Sequence, residues 1–164
     1  MNSIFKSLLP WLLGTVLGLC LGAAQAATER SSEVPVPLPW TETTWREQLK
    51  SGPRPAAYLF TTSYCSTCPD AFETLARYSE GREPKVALIP VMMDVGGVKA
   101  QRHAQFFTGL TALYAFDGFE PTIRETIDPK WPNVTPYIVL VDRHGKLQRS
   151  VGPPDAKALK VWLR

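Results

Sequence analysis

Three short, continuous apolar runs constrain the fold of this chain more than any other feature. They span residues 55–62, 85–93 and 137–141, and the last run reads YIVLV. Runs of this length are typical of strands that are buried on both faces of a sheet. A helical pattern joins the first two runs, so we expect those strands to be parallel. A tight turn follows the third, so the next strand, residues 146–151, should run antiparallel to it.

Helical spacing of apolar residues between these runs completes an α/β pattern. It occurs over four segments: 41–50, 66–80, 98–127 (interrupted) and 155–163. Thr44 and Glu47 stand at the spacing of a capping box, and Asp155 stands where it would cap the last helix. The sequence therefore predicts an α/β fold, a mixed central sheet with helices on both faces.

The overall composition excludes several classes of protein. The chain has 164 residues, of which 45% are hydrophobic and 20% are charged, which fits one globular domain. Its formal net charge is only +3 and no basic cluster stands out, so we expect no nucleic-acid partner. Three cysteines are too few for a small fold held together by disulfides.

The first 26 residues have the pattern of a secretory signal peptide. Lys6 supplies a positive charge, residues 8–23 are apolar, and residues 24–26 (Ala-Gln-Ala) offer small side chains for cleavage. The alternative is an uncleaved membrane anchor, although the apolar run is slightly short for a membrane-spanning helix. Either way, we expect the protein to work outside the cytoplasm.

The residues after this signal divide into a tether and a domain. Residues 27–40 are polar at first and then alternate Pro35, Pro37 and Pro39 with apolar residues, which is typical of an extended tether. We expect the folded domain to span residues 41–164.

Two cysteines, Cys65 and Cys68, follow directly after the first apolar run and open a predicted helix. A helix N-terminus favours negative charge, so the thiolate of Cys65 should be stabilised and act as the attacking group. Cys68 lies close enough to resolve a mixed disulfide formed at Cys65. Since Cys20 would leave with the signal peptide, this pair would be the only cysteines of the exported protein.

Two other roles for the cysteine pair have weaker support. A zinc site would need His103 and His144, whose spacings match no common zinc pattern. A purely structural disulfide across so small a loop would add little stability. We therefore expect redox chemistry with no metal and no organic cofactor, because the two sulfurs themselves carry the electrons.

These features resemble the thioredoxin superfamily over residues 55–163. The resemblance rests on YLFTTSYCSTCPD, on the Thr135-Pro136 dipeptide before YIVLV, and on the closing hairpin VDRHGKLQRSVG. It implies that Pro136 is a cis-proline packed against the cysteine pair and that the backbone of Thr135 binds an extended substrate. It further implies protein thiol or disulfide substrates and a membrane redox partner, as in exported proteins of cytochrome c maturation and periplasmic thiol redox.

The sequence also departs from thioredoxins proper. Those carry Trp-Cys-Gly-Pro-Cys, whereas this chain has Tyr-Cys-Ser-Thr-Cys, and Leu59 stands near the position of their buried acidic residue. Base assistance to Cys68 would then come from water, Asp70 or Glu73, or be absent. Residues 94–131 are longer than in a minimal thioredoxin, and within them we expect Phe119 and Trp131 to be core residues rather than residues that border the cysteines.

Three functions fit these observations to different degrees. The leading one is a periplasmic thiol–disulfide oxidoreductase that uses Cys65, Cys68, Thr135 and Pro136. A copper-delivery protein similar to the SCO/SenC group is the alternative, since thiolates suit Cu(I). That group, however, places three residues between its cysteines and adds a histidine before the third strand, and residues 128–135 here contain none. The third is a redox-inert binding module. Neither the direction of electron flow nor the oligomeric state follows from the sequence.

Overall fold

The computed structural model describes residues 34–164, so the predicted signal peptide, Cys20 and the first part of the tether lie outside the described residues. Within 34–164 the chain forms six strands and five helices. The strands are β1 (Leu38–Trp40), β2 (Ala56–Thr61), β3 (Ala87–Met92), β4 (Tyr114–Phe116), β5 (Tyr137–Val141) and β6 (Leu147–Val151). The helices are α1 (Thr44–Ser51), α2 (Cys68–Ser79), α3 (Gly97–Ala104), α4 (Glu120–Ile127) and α5 (Ala156–Trp162).

All six strands belong to one mixed sheet in the order β1-β4-β3-β2-β5-β6. The first four strands in this order are parallel to one another, while β5 is antiparallel to both β2 and β6. The central strands β2, β3 and β5 are buried along their whole length. The mixed sheet and the direction of each predicted strand pair are therefore confirmed.

Helices cover both faces of the sheet, as the apolar pattern of the central strands requires. Side chains of α2, α3 and α5 share one hydrophobic cluster with Leu59 of β2 and Ile138 of β5. Side chains of α1 and α4 share a second cluster with Phe60 of β2 and Val139 of β5. The two clusters take alternate residues of the same strands, because successive side chains point to opposite faces.

The fold begins before the boundary that the sequence suggested. The tether was expected to reach residue 40, but Leu38–Trp40 is a strand that, within residues 34–164, stands at the edge of the sheet and pairs only with β4. An edge strand tolerates the prolines that suggested a tether, since one side of it needs no hydrogen bonds. Trp40 is fully buried and packs against Trp45 and Tyr58, which anchors this strand to the domain.

The stretch 98–127 was expected to be helical in interrupted pieces, and this was correct only for its two ends. Its middle contains β4, a strand of three residues that lies between β1 and β3. The strand is too short to show a period of its own, so its pairing on both sides specifies it.

Of the two predicted helix caps, one is confirmed and one is wrong. The carboxylate of Asp155 accepts a hydrogen bond from the Ala158 amide at 2.7 Å, so the predicted cap of α5 is confirmed. The capping box of Thr44 and Glu47 is wrong: Thr43 is the N-cap residue of α1, and its hydroxyl bonds the Glu47 carboxylate at 2.9 Å. In residues 34–164 we find no helix with both the length and the apolar character needed to cross a membrane.

Candidate active site

Cys65 and Cys68 form a disulfide at the junction between β2 and α2. The chain turns sharply here, because the amide of Cys65 donates to the carbonyl of Thr62 at 3.1 Å and that of Cys68 to the carbonyl of Cys65 at 3.3 Å. Cys68 is the first residue of α2 and is fully buried, whereas 9% of Cys65 is exposed. A reagent in solution therefore reaches Cys65 more readily than Cys68.

The electrostatic setting of Cys65 is the start of a helix of twelve residues. The Thr67 side chain makes no capping hydrogen bond to the helix amides, and its hydroxyl instead lies 3.9 Å from the Cys65 sulfur. Pro69 occupies the first turn, where its missing amide proton costs no hydrogen bond. The partial positive charge of the helix end and a nearby hydroxyl both favour a thiolate at Cys65.

The space beneath the cysteines is apolar. Leu59 is fully buried and belongs to the same hydrophobic cluster as Cys65, Cys68 and Phe72. The resemblance to thioredoxins places Leu59 near the position of their buried acidic residue, and here that position holds an apolar core side chain. Asp70 and Glu73 instead line a cavity together with Phe106, on another side of α2.

Thr135 and Pro136 precede β5, and the peptide bond between them is cis, as the resemblance implied. Pro136 is buried and Thr135 is half-buried. The carbonyl of Pro136 accepts a hydrogen bond from the amide of Gly152 at 2.9 Å, which ties the start of β5 to the end of β6.

A set of side chains, which we call the loop brace (Asp128, Trp131, Tyr137 and Arg149), holds the loop that leads to Thr135. The Trp131 ring stacks on Tyr137 with centroids 4.3 Å apart, and its indole N–H donates to the carbonyl of Val134 at 3.1 Å. The hydroxyl of Tyr137 donates to the carboxylate of Asp128, which also lies 3.5 Å from Nε of Arg149. The brace therefore connects β5, β6 and the residue just before Thr135.

The brace also sets the charge state of its members. Burial alone would raise the pKa of Asp128, but hydrogen bonds from Tyr137 and from the Lys130 amide, together with the charge of Arg149, outweigh burial and lower it. Burial and the bond to Asp128 raise the pKa of Tyr137. Asp128 is accordingly an anion, and Tyr137 a neutral donor, at neutral pH.

A cavity of about 400 Å³, which we call the cysteine-side cavity, lies where these segments meet. Its walls come from several segments that are distant in sequence: Thr62, Tyr64, Met93, Asp94, Glu120, Asn133 and Thr135. Tyr64 directly precedes Cys65, so the structure brings the cysteine segment and Thr135 to the walls of one cavity. Sequence reasoning missed Thr62, Asp94, Glu120 and Asn133, because each is a single polar residue in a loop or at the end of an element and has no motif around it.

The other residues singled out in the sequence have different surroundings. Trp131 is buried, so its expected core role is confirmed. Phe119 is 69% exposed, so the same expectation for Phe119 is wrong; it is the residue before α4, with its ring at the surface. Among residues 34–164, no group of three or more His, Cys, Asp or Glu side chains is arranged to hold a metal.

Comparison with known proteins identifies the fold. No family model matches the chain. No curated protein sequence matches it either. The thioredoxin domain of a thiol-disulfide oxidoreductase from Bacteroides vulgatus is similar in structure, with a TM-score of 0.51 and 13% identity over 68% of this chain and 80% of that one. A thioredoxin-related protein from Neisseria meningitidis serogroup B has a TM-score of 0.51 and 15% identity over 70% of this chain and 87% of that one. The chain therefore has a thioredoxin-like α/β fold, which confirms the fold that the sequence resemblance implied.

Proposed function

We propose that this protein is a thiol–disulfide oxidoreductase that exchanges its Cys65–Cys68 disulfide with the thiols of substrate proteins. The observation that carries the proposal is a disulfide at a helix start in which Cys65 is 9% exposed and Cys68 is fully buried. A disulfide that only stabilised the fold would gain nothing from a helix N-terminus beside the less buried of its two cysteines. An attacking sulfur with a protected resolving partner requires this arrangement.

Exchange proceeds through two thiolate attacks and transfers two electrons. A substrate thiolate attacks the Cys65 sulfur, a substrate–Cys65 disulfide forms, and Cys68 leaves as a thiolate. A second substrate thiolate then attacks the substrate sulfur of that bond, which gives a substrate disulfide and releases the Cys65 thiolate. The reverse sequence, in which Cys65 attacks a substrate disulfide and Cys68 resolves the product, reduces the substrate. The reduction potential of the pair sets the direction.

Thr135 and Pro136 are proposed to align the substrate beside Cys65. Thr135 lines the cysteine-side cavity together with Tyr64, and the loop brace fixes the segment on which Thr135 lies. An extended substrate segment that pairs with the Thr135 backbone would be held next to Cys65, which raises the effective concentration of the substrate thiol.

The proposal includes a periplasmic location and a membrane-bound redox partner that restores the reactive state of the pair. Support comes from the signal pattern of residues 1–26 and from the resemblance to exported thioredoxin-like proteins. Cleavage after Ala26 predicts a mature protein that begins at Ala27, which the intact mass of the protein from a periplasmic fraction measures. Copper delivery is not carried forward, since no observation on the described residues favours it.

The experiment is a redox titration of the purified protein in glutathione and dithiothreitol buffers, read by thiol trapping. We expect a reversible two-electron couple within the range of roughly −120 to −270 mV that separates oxidants from reductants in this superfamily. Cys65→Ser should abolish exchange, and Cys68→Ser should accumulate mixed disulfides at Cys65. In the uncleaved full chain, which still contains the third cysteine, Cys20→Ser is the matched control and should leave the couple unchanged. Absence of a reversible couple, or full exchange by Cys65→Ser, would overturn the proposal.

A further inference from the structure

We propose that the cysteine-side cavity binds a lysine or arginine side chain that lies close to the reactive cysteine of the substrate. This inference rests on the proposed function and adds a substrate class to it. The cavity would thus make exchange fastest with thiols that have a positive neighbour.

The charge of the cavity walls is the first argument. Asp94 and Glu120 both line the cavity, and the other lining residues carry no positive charge. The Asp94 carboxylate is fixed in place, because the amide and the hydroxyl of Ser63 donate to it at 2.9 Å and 2.6 Å. Glu120 pairs with Arg124, whose guanidinium lies 5.9 Å from the ring centre of Trp131. Asp94 thus has no cationic partner among the described residues, whereas Glu120 has one, Arg124.

The second argument is independent of these charges. Thr62 also lines the cavity, only 5% of it is exposed, and its hydroxyl finds no hydrogen-bond partner within residues 34–164. Buried hydroxyl groups are nearly always paired, so the partner of this one is water or a polar group that enters the cavity. An ammonium or guanidinium group supplies donors to the hydroxyl oxygen and to the carboxylates together.

The remaining walls suit the aliphatic part of a basic side chain. Met93 is half-buried and Tyr64 presents an aromatic ring that is 79% exposed. Methylene groups of lysine or arginine pack on such surfaces while the charged head stays near water and acids, and a cation also gains from an aromatic face. The volume of about 400 Å³ is ample for one side chain with its hydration.

The position of the cavity defines where the basic residue lies in the substrate. Tyr64 is the neighbour of Cys65 along the chain, and Thr135, the proposed contact for the substrate backbone, forms another wall. We infer that the basic residue is a near neighbour of the substrate cysteine, and a position two away places both side chains on the same face of an extended segment.

The test uses three peptides, each with one cysteine, that differ only in having Lys, Gln or Glu two positions away. The rate at which each peptide reduces the Cys65–Cys68 disulfide of the full chain is divided by its rate with a small neutral disulfide. The ratio of the two rates removes the effect that the Lys, Gln or Glu residue has on the reactivity of the peptide thiol itself. We expect the order Lys, Gln, Glu, with about a fivefold change per unit of charge at low salt, since the carboxylates are partly exposed. The preference should shrink as salt is added.

Variants locate the preference within the molecule. Glu120→Gln and Asp94→Asn should each reduce the ratio of the Lys to the Glu peptide severalfold, and asparagine retains an oxygen that accepts from Ser63. Glu125→Gln is the matched control, because it removes the same charge from an exposed position of α4 that does not line the cavity. Glu125→Gln should leave the ratio unchanged.

The outcomes separate the inference from the proposed function. Equal normalised rates for the three peptides, with exchange otherwise active, would overturn the basic side-chain site and leave the oxidoreductase proposal standing. If Glu125→Gln and Glu120→Gln lose the preference equally, the preference comes from the overall electrostatic field of the protein. That result would overturn the proposal that the cavity binds the basic side chain. No reaction with any peptide or with dithiothreitol would overturn the proposed function itself.

Discussion

Replacing Tyr137 by phenylalanine tests the loop brace through a single hydroxyl group. The ring of Tyr137 stacks on Trp131 and is buried, so phenylalanine should keep the packing and lose only the hydrogen bond to Asp128. A hydrogen bond to a charged group contributes about 1.5–3 kcal/mol to the free energy of unfolding. Asp128 keeps its bond from the Lys130 amide and its contact with Arg149, and its side chain is 18% exposed. We therefore expect a loss of about 2 kcal/mol at pH 7.

The pH dependence of this loss follows from the lowered pKa of Asp128. A carboxylate whose pKa is lower in the folded state stabilises the fold above its unfolded pKa, which is about 3.9 for aspartate. That stabilisation disappears as the pH falls through the folded pKa. Since Tyr137 donates one of the bonds that lower the pKa of Asp128, the difference between wild type and Tyr137→Phe should be full above about pH 5 and shrink below about pH 4.

The assay is urea unfolding of the oxidised protein, followed by tryptophan fluorescence at several values of pH from 7 down to the lowest at which the wild type remains folded. Tyr64→Phe serves as the control, because it removes a hydroxyl from a ring that is 79% exposed and should change the free energy of unfolding by less than about 0.5 kcal/mol. A loss in Tyr137→Phe that stays constant across this pH range would refute the argument, since it would mean that the hydroxyl does not act through the charge of Asp128.

Two further changes test how the last helix is attached. Trp162→Phe should cost about 2–3 kcal/mol in urea unfolding, because a fully buried ring shrinks and the Val141 carbonyl loses its donor at 2.9 Å; a cost below about 0.5 kcal/mol would contradict this. Asp155→Ala should cost about 1 kcal/mol in thermal unfolding through the lost cap on the Ala158 amide, whereas Asp155→Asn, which also caps, should lose far less. Equal losses in the two Asp155 variants would assign the effect to something other than the cap.

Sequence could predict those parts of the fold in which several consecutive residues form one clear pattern. Strands β2, β3 and β5 were recognisable because each is a continuous apolar run, and both faces of each are buried. Strands β1 and β4 have three residues each and pair with one another in register, so neither has a pattern that stands without its partner. Sequence reasoning therefore found the centre of the sheet and missed the edge that β1 and β4 form.

Some residues of the candidate site were also recognisable in the sequence, and others were not. Cys65 and Cys68 were singled out because two reactive residues stand together at a strand end. Thr135 and Pro136 were singled out only through the resemblance to the thioredoxin superfamily, which has a cis-proline before its third strand. Asp94 and Glu120 have no such context, and in the sequence they are indistinguishable from the charged residues that cover any protein surface. Only the positions in space of the end of β3 and the start of α4 show that these two residues line one cavity.

The topology of the sheet explains why these residues meet. Strands β2 and β3 are parallel and end at the paired residues Thr61 and Met92, so the segments that follow them leave the sheet at the same edge. Those segments carry Cys65 and Asp94. Strand β5 is antiparallel to β2, and its first residue pairs with Phe60, so Thr135 reaches that edge from the opposite direction. The sulfur that we propose as the attacking group, a carboxylate and the backbone that we propose to bind the substrate thus converge because one antiparallel strand lies beside a parallel pair.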